Sequence, residues 1–373
     1  MQSIRLLAAG LALSIAGWAA DATVFVGTYT GPLSKGIYSA RFDAATGKLS
    51  TPTLAAEAAS PSFLAIHPNR RYVYAANEIN SFQDKPAGSI SAFAIEGSNL
   101  KLINAVSSKG TGPCHVATDR TGRWLFAANY NGGSVAAFPI QANGGLGEAS
   151  SFFQHTLTSV TPRQNGPHAH VVVLSPDNRF LLVADLGGDR VFVYRFDEKS
   201  GKLTPNEPAA GILPPGSGPR HVAFSKDGRL LYVLNELNAT VTTFGWDAKS
   251  GSLTDMGSVS ALPAGYTGNK SGAEIVVHPT GKFLYTSNRG HDSIAIFAIG
   301  ADGKLTAVGH QPTGGRTPRN FTIDPSGKFL LAANQDSGNI SIFRIDANTG
   351  RLTPAGGPVD VPAPVSILFA GQR

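Results

Sequence analysis

The chain reads Pro61-Ser62-Phe63-Leu64-Ala65-Ile66-His67-Pro68 and then, after a short polar turn, Tyr72-Val73-Tyr74-Ala75-Ala76-Asn77. Each half is an apolar run of strand length bounded by turn residues. Each occurs seven times. The first half returns near Pro113, Pro167, Pro219, Gly272, Pro318 and Pro364; the second also ends at Thr28, Asn129, Asp185, Asn235, Asn288 and Asn334. The two series are out of phase. Val24 to Thr28 is a second half with no first half before it, and Pro364 to Ala370 is a first half with no second half after it. A ring closed by both termini accounts for that offset; an open array does not. About 350 mature residues over seven repeats give roughly 50 each, the period of four-stranded propeller blades. The expected fold is all-β: a seven-bladed β-propeller of four-stranded antiparallel blades, its N- and C-terminal strands sharing one blade.

Within a repeat, strand a is the run after the proline and strand b the run ending in Asn or Asp. Strand c alternates, as in Ser89-Ile90-Ser91-Ala92-Phe93-Ala94-Ile95. The c–d turn is Asp-x-x-x-Gly-Lys/Arg-Leu at Asp43 to Leu49, Asp197 to Leu203 and Asp346 to Leu352, where the acid accepts backbone hydrogen bonds. With 43 Gly and 24 Pro the chain has the turn residues so many short strands need. Its formal charge of +6 comes without a run of like charges or a basic helix. That balance gives a mild attraction for anions and argues against a nucleic-acid partner.

Residues 1–22 read as a secretion signal. Arg5 supplies the positive end, Leu6 to Ala20 is apolar, and Gly17, Ala19, Ala20 and Ala22 offer cleavage sites. Residues 23–373 then form a single propeller domain, periplasmic or secreted, with no membrane segment once the signal is removed. A monomer is expected. Cys114 is the sole cysteine, so no internal disulfide is possible. It reads as a structural buried thiol.

Antiparallel order puts the start of a and the end of b on one face and the a–b turn on the other. The a–b turns are monotonous: Pro68-Asn69-Arg70, Arg120-Thr121-Gly122, Pro176-Asp177-Asn178, Lys226-Asp227-Gly228, Pro279-Thr280-Gly281, Pro325-Ser326-Gly327. They do one structural job in each blade, and His67 and His278 beside them are read as structural. The opposite face differs chemically. Eight residues before the turn position stand Ser62, Cys114, His170, Arg220, Ala273 and Arg319; one further on stand Phe63, His115, Val171, His221, Glu274 and Asn320. Seven residues after it is the repeated Asn or Asp, read as a blade-to-blade hydrogen bond. It is followed by Glu78, Tyr130, Leu186, Glu236, Arg289 and Gln335, with Thr28 and Tyr29 as the matching pair in the first strand. Strand a lines the channel of a propeller, so these positions crowd one of its mouths. Arginines, histidines and glutamates converging there suit a small anionic, oxygen-rich ligand. Structure alone does not require Arg in one blade and His in another. His115 and His221 read equally well as satisfied core histidines, and His155 and His310 fall in variable loops without a signal. There is no HExxH, no cysteine pair, no GxSxG elbow and no phosphate-binding or dinucleotide glycine motif. No metal and no cofactor are expected.

Over essentially its whole mature length the chain resembles the seven-bladed propeller lactonases, which include propeller-type 6-phosphogluconolactonases and carboxymuconate-lactonizing cyclases. The resemblance rests on Gly166-Pro167-His168-Ala169-His170, Ala184-Asp185-Leu186-Gly187, Gly218-Pro219-Arg220-His221, Asn235-Glu236, Ala273-Glu274, Ser287-Asn288-Arg289-Gly290-His291-Asp292-Ser293, Pro318-Arg319-Asn320-Phe321 and Ala333-Asn334-Gln335. It implies a catalytic set of His170 (with His168 as the alternative), Arg220, Glu236 and Arg289. The register favours His170. On this reading the chain is a carboxylic-ester hydrolase of the 6-phosphogluconolactonase kind, opening a small anionic lactone. His170 would be general base, with Glu236 orienting it or taking that role itself. Arg220 and Arg289 would bind the anionic group and stabilise oxyanion charge. His168, His115, His221, Glu274, Asn288, Arg319, Asn320 and Gln335 form the expected substrate-binding set. Two alternatives stay open: a 3-carboxy-cis,cis-muconate-type cyclase, and a non-catalytic extracytoplasmic binding propeller.

Overall fold

The structure is a computed structural model that describes residues 22–370; the export signal read above lies, up to residue 21, outside the described residues. The chain forms a seven-bladed propeller. Blade 1 takes its innermost strand from the C-terminus (Pro364–Phe369) and its next from the N-terminus (Ala22–Thr28), followed by Gly36–Asp43 and an outer edge of Lys48–Leu49 and Thr53–Glu57. The two termini pair antiparallel from Val24↔Phe369 to Thr28↔Pro364, so the unpartnered half-repeats complete one another. Blades 2 to 7 begin at Pro61, Pro113, Ala169, Pro219, Gly272 and Pro318, each running a-b-c-d from channel to rim. Outside the strands the described residues hold one 3-10 turn, Pro162–Gln164, and no helix long and apolar enough to cross a membrane.

Strand b reads as a continuous apolar run because both faces of each sheet are covered by neighbouring blades. Tyr72–Asn77, Trp124–Asn129 and Phe329–Asn334 are buried throughout. Seven apolar clusters each span one blade-to-blade interface; Phe329 and Leu331 of blade 7 pack with Val24, Phe42 and Ile367 of blade 1.

The a–b turns repeat for a backbone reason. Gly122, Gly228, Gly281 and Gly327 sit at φ between 70° and 77°, and Arg70 and Asn178 share that left-handed geometry at 58° and 64°. Glycine and asparagine enter this region most readily. His67 and His278 cross to the next blade's turn, each with Nε2 at 2.8 Å from a carbonyl, of Gly122 and Gly327. They are structural, as read. The c–d acids accept from their own turns; Asp43 Oδ1 takes the Ala45 amide at 2.8 Å. The repeated Asn or Asp behaves in two ways. Asn129 donates to the Ser108 carbonyl and Asn288 to that of Ala261, both leaving the previous blade, whereas Asn235 and Asn334 bond to strand c of their own blade. Asp185 pairs at 2.5 Å with buried His155, whose other nitrogen meets the Tyr194 hydroxyl at 2.9 Å. A histidine without signal in the sequence thus clamps blade 3 to blade 4.

Candidate active site at the channel mouth

Every strand a carries a β-bulge at its start. In blade 5 Pro219 pairs with Asn235 but His221 with Leu234, leaving Arg220 unmatched. The same slip leaves Ser62, Cys114, His170, Arg319 and Val365 unmatched in their blades, and in blade 6 it spans Ala273 and Glu274. A bulge re-aims the extra side chain. Here it separates two rings the sequence count treats alike. Bulge residues gather around the mouth; the residues that follow them form a belt one layer down. Ala169 pairs with Asp185 as Pro219 pairs with Asn235, so His170, not His168, holds the bulge position in blade 4.

The mouth holds a pocket of about 220 Å³ lined by Tyr29, Glu78, Cys114, Tyr130, Asn131, Arg163, His170, Glu236, Arg289 and Arg319. Its charge centre is buried Glu236. One carboxylate oxygen lies 2.8 Å from Arg289 Nη2 and 3.0 Å from Arg220 Nε; the other lies 2.9 Å from Arg163 Nη2. Burial alone would raise the Glu236 pKa, but Arg289, Arg220 and Arg163 outweigh it and hold the group at about 2. Every hydrogen bond and ion pair of its carboxylate among the described residues goes to an arginine. Glu236 is thus ionised at neutral pH and engaged by three arginines, and its low pKa makes it a weak proton acceptor. Arg220 sits behind it and donates to the Ala273 carbonyl at 2.5 Å; burial, then Arg289 and Arg319, bring its pKa down to about 10, still charged at neutral pH.

Across the pocket Arg319 stacks over the Tyr29 ring at 5.2 Å and lies 3.9 Å from Glu78, to which the Tyr29 hydroxyl donates at 2.8 Å. Four guanidinium groups against two carboxylates leave a net charge of +2. His170 is buried, and its pKa is driven well below the usual histidine value by burial, then by Arg220 and His221. Its imidazole is neutral and accepting. The Cys114 thiol donates to the His170 carbonyl at 3.3 Å, and burial pushes its pKa up, so it remains a thiol beside His170.

Of the expected residues, His170, Glu236, Arg289 and Arg319 line the pocket, and Arg220 supports it from behind. The other expected contacts lie elsewhere. His115, His221, Glu274 and Asn320 belong to the lower belt. His221 Nδ1 pairs with Glu274 at 2.8 Å, Asn320 Nδ2 donates to Glu274 at 2.5 Å, and the Ile367 amide donates to Asn320 at 2.9 Å. These bonds brace neighbouring blades across the channel. His115 and His221 are buried outside the pocket lining, and burial lowers the pKa of each. His168 is at the rim, stacked on Tyr130 at 4.4 Å and bonded to its carbonyl at 2.9 Å. Asn288 Nδ2 donates across to blade 5 and Gln335 Nε2 to Asp336 at 3.1 Å, while the amide oxygens of both are buried without a hydrogen-bond partner and neither residue lines the pocket.

Tyr29, Glu78 and Tyr130 are legible in the alignment, sharing the position of Glu236 and Arg289. Arg163 is not. It comes from the long loop joining blades 3 and 4, which lies outside the repeated strands and so has no register. A larger groove of about 650 Å³ between blades 5 and 6 opens on the opposite face. It is lined by turn residues bonded among themselves, such as Asp227 with Ser225 and Arg229, and carries no site chemistry.

Comparison with known proteins places this geometry in context. The profile described as "Lactonase, 7-bladed beta-propeller" matches residues 23–369. The chain is 36% identical over 351 residues to a 6-phosphogluconolactonase of Bacillus subtilis, covering 93% of this chain and 98% of that protein. A crystal structure of a putative 6-phosphogluconolactonase from Bacteroides fragilis superposes with a TM-score of 0.88 at 37% identity, covering 95% of this chain and 99% of the other. A periplasmic gluconolactonase of Pseudomonas aeruginosa gives 0.88 at 34%, covering 94% and 99%.

Proposed function

The chain belongs to the seven-bladed β-propeller lactonase family, carboxylic-ester hydrolases by class, and on that premise we propose that it opens a sugar lactone bearing an anionic group, in the manner of a 6-phosphogluconolactonase. The observation carrying this reading is the pairing of a neutral buried histidine with a mouth where arginines outnumber carboxylates. Water attacks the lactone carbonyl carbon while its proton passes to His170. Negative charge gathers on the carbonyl oxygen and is met by Arg289 and Arg319. The ring C–O bond then breaks, and the leaving oxygen takes the proton back from the imidazolium. Glu236 holds Arg163, Arg220 and Arg289 in one array, which pre-orients their donors and leaves the catalysis to His170. A phosphate monoester carries about −1.5 to −2 charge at neutral pH, which matches the mouth.

We further propose that the mature protein is exported, supported by the apolar N-terminal segment behind Arg5 and by the periplasmic relative. The test of the reaction is pH-stat hydrolysis of 6-phosphogluconolactone, gluconolactone and a neutral unsubstituted lactone, corrected for spontaneous opening. Enhancement that disappears in His170→Ala supports the reading. Absence of enhancement on all three overturns it.

A further inference from the structure

The four pocket arginines are not equivalent. Arg220 is almost fully enclosed, and Arg289 and Arg319 expose 14% and 17% of their side chains. Arg163 exposes 55%, yet it reaches Glu236 at a distance like those of Arg289 and Arg220. Its Nη2 donates both to Glu236 at 2.9 Å and to the Tyr130 hydroxyl at 2.8 Å. One terminal nitrogen thus meets both protein partners, and a planar guanidinium offers five N–H donors. The remaining edge stands at the pocket rim.

The loop is built to hold it there. Gln164, the next residue, is fully buried and donates from Nε2 to the Leu186 carbonyl at 2.9 Å. The Ser159 amide donates to the Gln164 carbonyl at 3.0 Å, and the Thr161 hydroxyl to the Gln164 side chain at 3.1 Å. The turn Pro162–Gln164 is therefore pinned to blade 4 on one side of Arg163 while the guanidinium is fixed over blade 5. An exposed, unconstrained arginine loses side-chain entropy on gripping an anion; this one is already ordered.

We propose that Arg163 is a specificity-determining residue: it reads an anionic group, of the phosphate-monoester class, at the end of the lactone remote from the carbonyl. The inference rests on the lactonase reading in one respect, that the carbonyl sits against His170 at the buried end of the pocket. The remote end then lies at the rim, where Arg163 supplies a fork matched to phosphate oxygens. The deeper arginines face the reacting end and serve phosphorylated and neutral lactones alike.

The experiment compares wild type, Arg163→Ala and Arg163→Lys on 6-phosphogluconolactone and gluconolactone, and titrates each calorimetrically with 6-phosphogluconate and gluconate. In Arg163→Ala the ratio of kcat/KM for the phosphorylated over the neutral lactone falls on the order of 10- to 100-fold, the scale of one or two charge-assisted hydrogen bonds. The loss lies in KM, and the binding preference for 6-phosphogluconate falls in parallel. Arg163→Lys recovers only part of the ratio, because a point charge lacks the fork. An equal loss on both lactones overturns the inference and makes Arg163 a brace for Glu236. If no lactone turns over but the binding preference for 6-phosphogluconate exists and depends on Arg163, the inference stands and the hydrolase reading falls. If turnover is present and the preference ignores Arg163, the reverse holds.

Discussion

Replacing Glu236 by glutamine tests the electrostatic design of the mouth, and its size follows from the structure. The carboxylate is 3% exposed and holds three guanidinium groups within 3.0 Å. Its pKa is lowered from 4.5 to about 2. A depressed carboxylate contributes stability that is complete above its unfolded pKa and is lost as pH falls through the folded one. At about 1.36 kcal/mol for each tenfold change in proton affinity, that lowering corresponds to roughly 3–4 kcal/mol at pH 7. Losing one partner of a buried ion pair costs a similar 3–5 kcal/mol or so. For about 350 residues the unfolding entropy near the midpoint is roughly 0.7 kcal/mol per kelvin, so Tm should fall about 5 °C. At pH 3 the contribution shrinks to roughly 1–2 kcal/mol, because the folded carboxylate is still mostly ionised while the unfolded one is not. The gap in Tm between wild type and Glu236→Gln should therefore narrow to about 2 °C. Thermal unfolding followed by circular dichroism from pH 7 to pH 3 reads both numbers. A variant as stable as wild type at pH 7, or a gap that stays constant on acidification, would refute the assignment of Glu236 as the ionised centre of the arginine cluster.

Two further outcomes follow from the same chemistry. With His170 as the proposed base, the acid limb of kcat/KM should lie below pH 6.5, since a base acts when neutral and burial depresses the pKa of this one. His170→Ala should lose about 10²–10⁴-fold in kcat; a limb at or above 6.5, or a loss under tenfold, removes His170 as base. Export predicts that the mature protein is recovered from the periplasmic fraction or medium with its N-terminus near residues 20–23; an intact Met1 terminus in the cytosol contradicts it.

The amino-acid sequence by itself determined the ring, its seven blades and their closure. Two half-repeats with fixed spacing carry position as well as strand identity, and the phase offset at the termini admits one way to complete the first blade. The same spacing singled out one face as the candidate site and brought His170, Arg220, Glu236, Arg289 and Arg319 to one mouth, because residues at one register position stand at one height in a propeller. It did not distinguish Arg220 from His221 by depth. In a regular strand alternate residues face opposite sides, and only the bulge in each strand a, a matter of backbone pairing, turns one ring into the pocket and commits His115, His221, Glu274 and Asn320 to bracing the channel below. Nor did it find Arg163 or the His155–Asp185 clamp. Both come from segments joining blades, where no repeat supplies a register, and their partners in the folded chain, Glu236 and Asp185, lie 73 and 30 residues away. Role was likewise a tertiary outcome for Glu236. Three arginines from separate blades and a loop meet on one carboxylate, and their combined field, rather than the residue type, sets its low pKa.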